Sequence, residues 1–344
     1  MRKDHRIELG ESMLLSLLSL SFADTPPPPI VGGSVTSAYT EVGGLVAIHP
    51  QGYGASFCSA TLIHRYWVLT AAHCIYGQDA AQNMSDQGYD IYFVTARDVY
   101  NASYNEFHEI HPDKMIPHPY YDGNDVEHDI GLLQLSSPID NKEPVPLNNN
   151  YSQFVNEDIV YVGYGITGDG REDSGTRRTA TVPYWTYDNM FLYTNDPTGQ
   201  SNICSGDSGG AALIEKSGGY VLVGVNSFGF DINGGQPTCE GPSAAAGATR
   251  VDQYLDFIES NIGNINTDGG GSGSGGSGSG GSGSGGSGST ESPINNWKPP
   301  LADADYEEAQ LPAAASSCAT VSTQDMLWAW VLCAVGFVSR RRRD

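Results

Sequence analysis

Positive charge is scarce in this chain of 344 residues: 17 Lys and Arg stand against 40 Asp and Glu, a net charge of −23. Basic residues gather at the two ends, in Arg2, Lys3 and Arg6 and in Arg340 to Arg343, and form no patch between them. That excludes a nucleic acid partner, whose phosphate backbone demands clustered Lys and Arg. An acidic surface spread along the whole chain is a solvated one and specifies no substrate. Cysteine is sparse as well, with six residues in all: Cys58, Cys74, Cys204 and Cys239 in the body of the chain, and Cys318 and Cys333 near its end. His64, His111, His118 and His128 show no ligand spacing, and Asp122, Asn124 and Asp125 lack the pattern of a calcium loop, so no metal or cofactor is expected.

What is present is a middle section, residues 30 to 264, in which short apolar runs alternate with turn residues as in a folded unit. Gly44 to Ile48, Phe57 to Ile63, Ile91 to Thr95, Ile159 to Val162 and Val221 to Val225 are rich in Val, Ile and Tyr and are punctuated by Gly, Pro, Asn and Asp. The section reads as one all-β domain closed by a helix-like stretch over Val251 to Ile262.

Two motifs carry chemistry. Gly206-Asp207-Ser208-Gly209-Gly210 offers a serine nucleophile, and Thr70-Ala71-Ala72-His73-Cys74, far upstream, offers an imidazole. A hydroxyl at its ordinary pKa attacks poorly, so a base must take its proton and a third, buried acceptor must fix the base's tautomer. Asp129, the charged residue ahead of the apolar run Ile130-Gly131-Leu132-Leu133, suits the third place. Acyl transfer by His73, Asp129 and Ser208 is the expected chemistry. Gly206 and Gly209 suit the turn because they permit backbone conformations that a Cβ obstructs.

These motifs, with Ile30-Val31-Gly32-Gly33, Trp67-Val68-Leu69 and Gly163-Tyr164-Gly165 in the same order, resemble the trypsin/chymotrypsin-like serine proteases, the S1 peptidase family. The resemblance implies two packed, six-stranded Greek-key barrels with a C-terminal helix, His73 and Asp129 coming from the first barrel and Ser208 from the second. It implies an oxyanion hole made by the N–H groups of Gly206 and Ser208. It implies disulfides Cys58–Cys74 and Cys204–Cys239, which need an oxidising compartment; four reduced core cysteines are the alternative. It also implies an activation switch, in which a cut before Ile30 frees an α-amine that pairs with Asp207. Here the sequence departs from the family pattern: Pro29 stands where Arg or Lys usually precedes the cut, so another protease must act as partner, or the enzyme works uncut. The substrate pocket should involve Asn202 at its floor, with Ser227, Phe228 and Gly229 alongside and the Ser227 hydroxyl supporting Asp129. Asn202 in place of an Asp disfavours cleavage after Arg or Lys and suggests an uncharged or aromatic side chain, although Glu240 could reach the pocket and reverse this. Polypeptides are the implied substrates. A silent binding module on a protease scaffold and an esterase using the same triad are the competing readings.

The ends read differently. Residues 1–23, basic and then apolar over Met13 to Phe22, have the pattern of a secretory signal peptide, and the proline-rich residues 24–29 that of a propeptide. Residues 265–317 are Gly/Ser-rich, then acidic, and form a disordered tether. In residues 318–344, Cys318, the apolar run Met326 to Val338 and four arginines are similar to bacterial sorting tails of the myxobacterial type, with a short hydrophobic helix and a membrane sorting protease as partner; a permanent anchor is the alternative. The expected location is the cell exterior, tethered at the surface.

Overall fold

Because successive side chains in a strand face opposite ways, each short apolar run here can serve two packed surfaces at once. The computed structural model, which describes residues 30–268, builds two barrels from such runs. The first comprises β1 (Val42–Ile48), β2 (Gly54–His64), β3 (Trp67–Thr70), β4 (Asp90–Val94), β5 (Phe107–Pro117) and β6 (Gly131–Leu135), closed in the order β1-β2-β3-β6-β5-β4. The second comprises β7 (Asp158–Gly163), β8 (Arg178–Tyr187), β9 (Phe191–Asn195), β10 (Ala211–Lys216), β11 (Gly219–Asp231) and β12 (Ala244–Arg250). It repeats the same order, β7-β8-β9-β12-β11-β10, and pairing of β10 with β7 closes it. The all-β class read from the sequence and the double barrel implied by the family resemblance are therefore the architecture observed. Strand β7 shows the two-surface logic: Ile159 and Tyr161 fill the second barrel with Val182, Leu192, Ile214 and Val223, while Val160 and Val162 join Leu45, Leu69 and Leu132 of the first.

Polar groups lock the barrels together. Tyr164, fully buried just after β7, donates its hydroxyl to the Ala96 carbonyl at 2.6 Å. Arg177, buried just before β8, donates from Nη1 to the carbonyls of Val42 (3.3 Å) and Thr95 (3.1 Å) and to the Tyr164 hydroxyl (3.2 Å). Two side chains of the second barrel thus satisfy three carbonyls of the first, and each barrel is the other's solvent for these groups.

The chain ends in helix α2 (Leu255–Ile262), following the short α1 (Ala81–Asp86) and a 3-10 turn at Val251–Gln253. The helix seats Ile258 in the shared core. The folded unit does not stop at residue 264. Asn266 accepts the Leu147 N–H at 2.8 Å, and Thr267–Asp268 pair in parallel with Leu147–Asn148. Backbone pairing needs no apolar side chain, so composition gives no sign of it. The expected signal peptide, propeptide, tail and the tether beyond 268 lie outside the described residues. Among the described residues, no helix is long and apolar enough to cross a membrane.

Tyr164→Phe should strand the Ala96 carbonyl and remove a partner of Arg177 without changing the fold. We expect a loss of about 1–3 kcal/mol in denaturant unfolding; an unchanged midpoint would show that the barrel interface does not rest on this hydroxyl.

Candidate active site

A carboxylate with no access to water must find hydrogen-bond donors or give up its charge. Asp129 is fully buried ahead of β6 and finds three donors. Oδ1 accepts the backbone N–H of His73 at 2.9 Å, while Oδ2 lies 2.8 Å from His73 Nδ1 and accepts the Ser227 hydroxyl at 2.5 Å. The Thr249 hydroxyl donates to the Asp129 main-chain carbonyl at 2.8 Å. His128, at φ +57°, turns the chain inward at this point, and its Nδ1 lies 3.1 Å from the Tyr254 hydroxyl. His73 therefore carries its neutral-state proton on Nδ1, facing the carboxylate. Its Nε2 is buried with no hydrogen-bond partner, a free acceptor lone pair. Burial alone would lower the His73 pKa, but the charge and hydrogen bond of Asp129 outweigh it and raise it above 6.5.

The turn at residues 204–210 presses against the strand ends that carry His73. Ser208 is almost fully buried, and its carbonyl accepts the Ser59 N–H of β2 at 2.8 Å. Gly209, at φ +79°, approaches so closely that a Cβ there would lie 2.0 Å from Thr70 Oγ1. Gly206 takes φ +91°, and its carbonyl accepts the Ser59 hydroxyl at 2.9 Å; that hydroxyl in turn accepts the Tyr164 N–H at 3.0 Å. Ser59 thereby fixes the peptide between Gly206 and Asp207, a role that no local motif announces. Both disulfides brace the region: Cys58–Cys74 ties β2 to the turn holding His73, and Cys204–Cys239 ties the Ser208 turn to the segment before β12.

The family model described as Trypsin matches residues 30–258. The chain belongs to the trypsin family. Among curated proteins it is similar to the clotting factor G beta subunit of Tachypleus tridentatus, 27% identical over 67% of this chain and 78% of the relative. It is also similar to Trypsin-1 of Astacus astacus, 26% identical over 61% of this chain and 90% of the relative, and to Serine protease 1 of Drosophila melanogaster, 29% over 69% and 89%. This trypsin-family chain is a serine endopeptidase.

Around the turn at residues 204–210, the residues expected at the pocket and switch are distributed as follows. Phe228 is buried edge-on to Phe191, with ring centroids 5.1 Å apart, and Gly229 leaves open space where a Cβ would meet only the Ala245 carbonyl at 3.7 Å. Asn202 is buried; its N–H donates to the Val31 carbonyl at 3.1 Å, its Oδ1 accepts the Ile203 N–H at 2.9 Å, and its Nδ2 has no partner. Glu240 instead lines a cavity of about 340 Å³ with Val31, Gly32, Thr167, Gly199, Gln200 and Ser201, its carboxylate beside Gly168. Ile30 and Asp207 are both fully buried. Asp207 Oδ1 accepts the Gly165 N–H at 2.8 Å and Oδ2 the Cys204 N–H at 2.9 Å. The glycines of Gly163-Tyr164-Gly165 make room for it: a Cβ on Gly163 would lie 2.3 Å from Asp207 Oδ1. Burial still pushes the Asp207 carboxyl up to about 6, against the downward pull of these N–H groups and of Arg178.

In the role of base expected from the sequence, His73 must be neutral to accept a proton, so its raised pKa would remove activity as pH falls through it. The acidic limb of kcat/KM on an ester substrate should have its midpoint above 6.5. A midpoint at or below that value would mean that the Asp129 interaction does not prevail over burial.

Proposed function

We propose that this chain is an exported serine endopeptidase that cleaves polypeptides through a His73–Asp129–Ser208 triad. The observation that carries the proposal is the His73 imidazole, held by a fully buried Asp129 at Nδ1 while Nε2 remains an unpartnered acceptor. In the proposed cycle Ser208 Oγ adds to the scissile carbonyl carbon as its proton passes to His73 Nε2. Negative charge then collects on the former carbonyl oxygen, where the N–H groups of Gly206 and Ser208 serve as preorganised donors. His73 returns the proton to the departing amine as the C–N bond breaks, leaving an ester on Ser208. Water repeats the sequence, giving its proton to His73 and its oxygen to the acyl carbon, and Ser208 leaves with its proton restored.

Activation and specificity belong to the same proposal. A cut before Ile30 would free an α-ammonium for Asp207, whose buried carboxylate gains from a second positive charge. The cut requires a protease partner that accepts Pro29. At the pocket, Asn202 brings no charge to the floor, and its partnerless Nδ2 favours an uncharged substrate side chain that ends in a hydrogen-bond acceptor. The disulfides require an oxidising compartment and therefore the cell exterior. The tether and the tail would hold the enzyme at the surface until a sorting protease acts.

Fluorophosphonate labelling of the purified protein tests the nucleophile. The intact chain cut before Ile30 should label once and Ser208→Ala should not label; a cut, folded protein that fails to label would leave a binding module. Protein cleavage must accompany labelling, since turnover of esters alone would identify an esterase. Asn202→Asp should raise cleavage after Arg and Lys by roughly ten- to hundredfold in a peptide panel, the worth of a buried charge-assisted contact. A wild-type protein already cutting chiefly after Arg would overturn the assignment of the pocket floor.

A further inference from the structure

Asp207 poses an electrostatic problem that the sequence at residues 24–29 does not solve: no Arg or Lys precedes Ile30 to invite the usual cut. The fold nevertheless supplies a cation nearby. Arg178, at the start of β8, has a side chain only 8% exposed, and its Nη1 donates to the carbonyls of Gly165 (2.8 Å) and Asp173 (2.7 Å). Its Nη2 lies 3.6 Å from Asp173 Oδ2. Gly165 is the link. The guanidinium of Arg178 binds its C=O, and the Asp207 carboxylate binds its N–H at 2.8 Å. The two charges are thus held at opposite polar ends of one residue that cannot carry a Cβ, since one would lie 2.7 Å from Asp207 Cγ.

The same arginine meets the N-terminal segment. Arg178 pairs across the sheet with Val35, in the short strand Ser34–Val35 that follows Ile30, and on its other side with Gly163. In the chain still joined to Pro29, Ile30 is fully buried and Val31 bridges Asn202. Ile30 reaches that position with φ +44°, which is strained for a β-branched residue and relaxes once the preceding peptide bond is cut. The other arginines buried nearby are committed elsewhere, Arg177 to the barrel interface and Arg250 to Asp252.

We infer that Arg178 is a positioning residue that acts as the counter-charge of Asp207 while the chain before Ile30 is uncut, so that the single chain already holds the Gly206–Ser208 turn and turns over substrate. Cleavage then raises an existing activity by adding a second cation and releasing the strain at Ile30. This inference rests on the assignment of Ser208 as nucleophile made above.

The test uses the full chain with residues 25–29 replaced by the recognition sequence of a site-specific protease that cuts just before Ile30, giving uncut and cut forms of one protein. The chain with its own residues 25–29 serves as a second uncut form. Turnover of an ester substrate is resolved into kcat and KM, and thermal midpoints are recorded for Arg178→Gln and Arg178→Lys. We expect measurable turnover by the uncut chain that Ser208→Ala abolishes. Arg178→Gln should lower kcat of the uncut form at least about tenfold and that of the cut form by no more than about threefold, because the α-ammonium then supplies the missing charge. Arg178→Lys should restore most of the uncut activity as a point charge. An inert uncut chain beside an active cut form would overturn the inference. So would equal losses in both forms, or a loss that tracks the thermal midpoint and is not rescued by Lys. If neither form turns over substrate, the nucleophile assignment fails, and this inference falls with it.

Discussion

The arrangement depends on supplying hydrogen-bond donors to the fully buried Asp129 carboxylate. Removing a carboxylate from water costs several kcal/mol even after the protein relaxes, and that cost is met here only by donors drawn from both barrels. His73 approaches from the first barrel with a ring nitrogen and a main-chain N–H, and Ser227 approaches from β11 of the second. Neither barrel alone could satisfy the group. Docking of the barrels, pinned by Tyr164 and Arg177, is therefore a precondition of the imidazole's orientation as well as of stability.

A second buried carboxylate, Asp207, obeys the same physics with a different outcome. Its two backbone donors leave the carboxyl shifted upward, so its charge state remains sensitive to any cation brought close. Asp129 has three donors and suits a fixed role, whereas Asp207 has two and suits a switch. Asp129 contacts His73 and Asp207 precedes Ser208, and the difference between the two carboxylates is one of donor supply.

Much of this was legible in the sequence. The β-rich runs and the Gly-Asp-Ser-Gly-Gly turn have local signatures, because strand period and positive φ are properties of short segments, whereas the disulfide pairing came from the family resemblance. Ser59 and Thr249 had none. Each acts through a contact across the fold, Ser59 on a carbonyl 147 residues away and Thr249 on one 120 residues away, and a lone Ser or Thr in a strand looks the same with or without such a partner. The Gly165 position was visible as part of a motif, but its reason, the closeness of Asp207, appears only when the two loops are packed. The pairing of Thr267 and Asp268 with Leu147 and Asn148 was hidden because main-chain pairing leaves no mark on composition.

The Asp129–His73 hydrogen bond can be observed directly by proton NMR of the purified protein. The account expects one exchangeable proton far downfield of the amide region, assigned to His73 Nδ1–H by its loss in His73→Gln, and absent from Asp129→Asn while the rest of the spectrum stays folded. No such resonance in the wild type, or one that persists in Asp129→Asn, would contradict the claim that the buried carboxylate orients the imidazole.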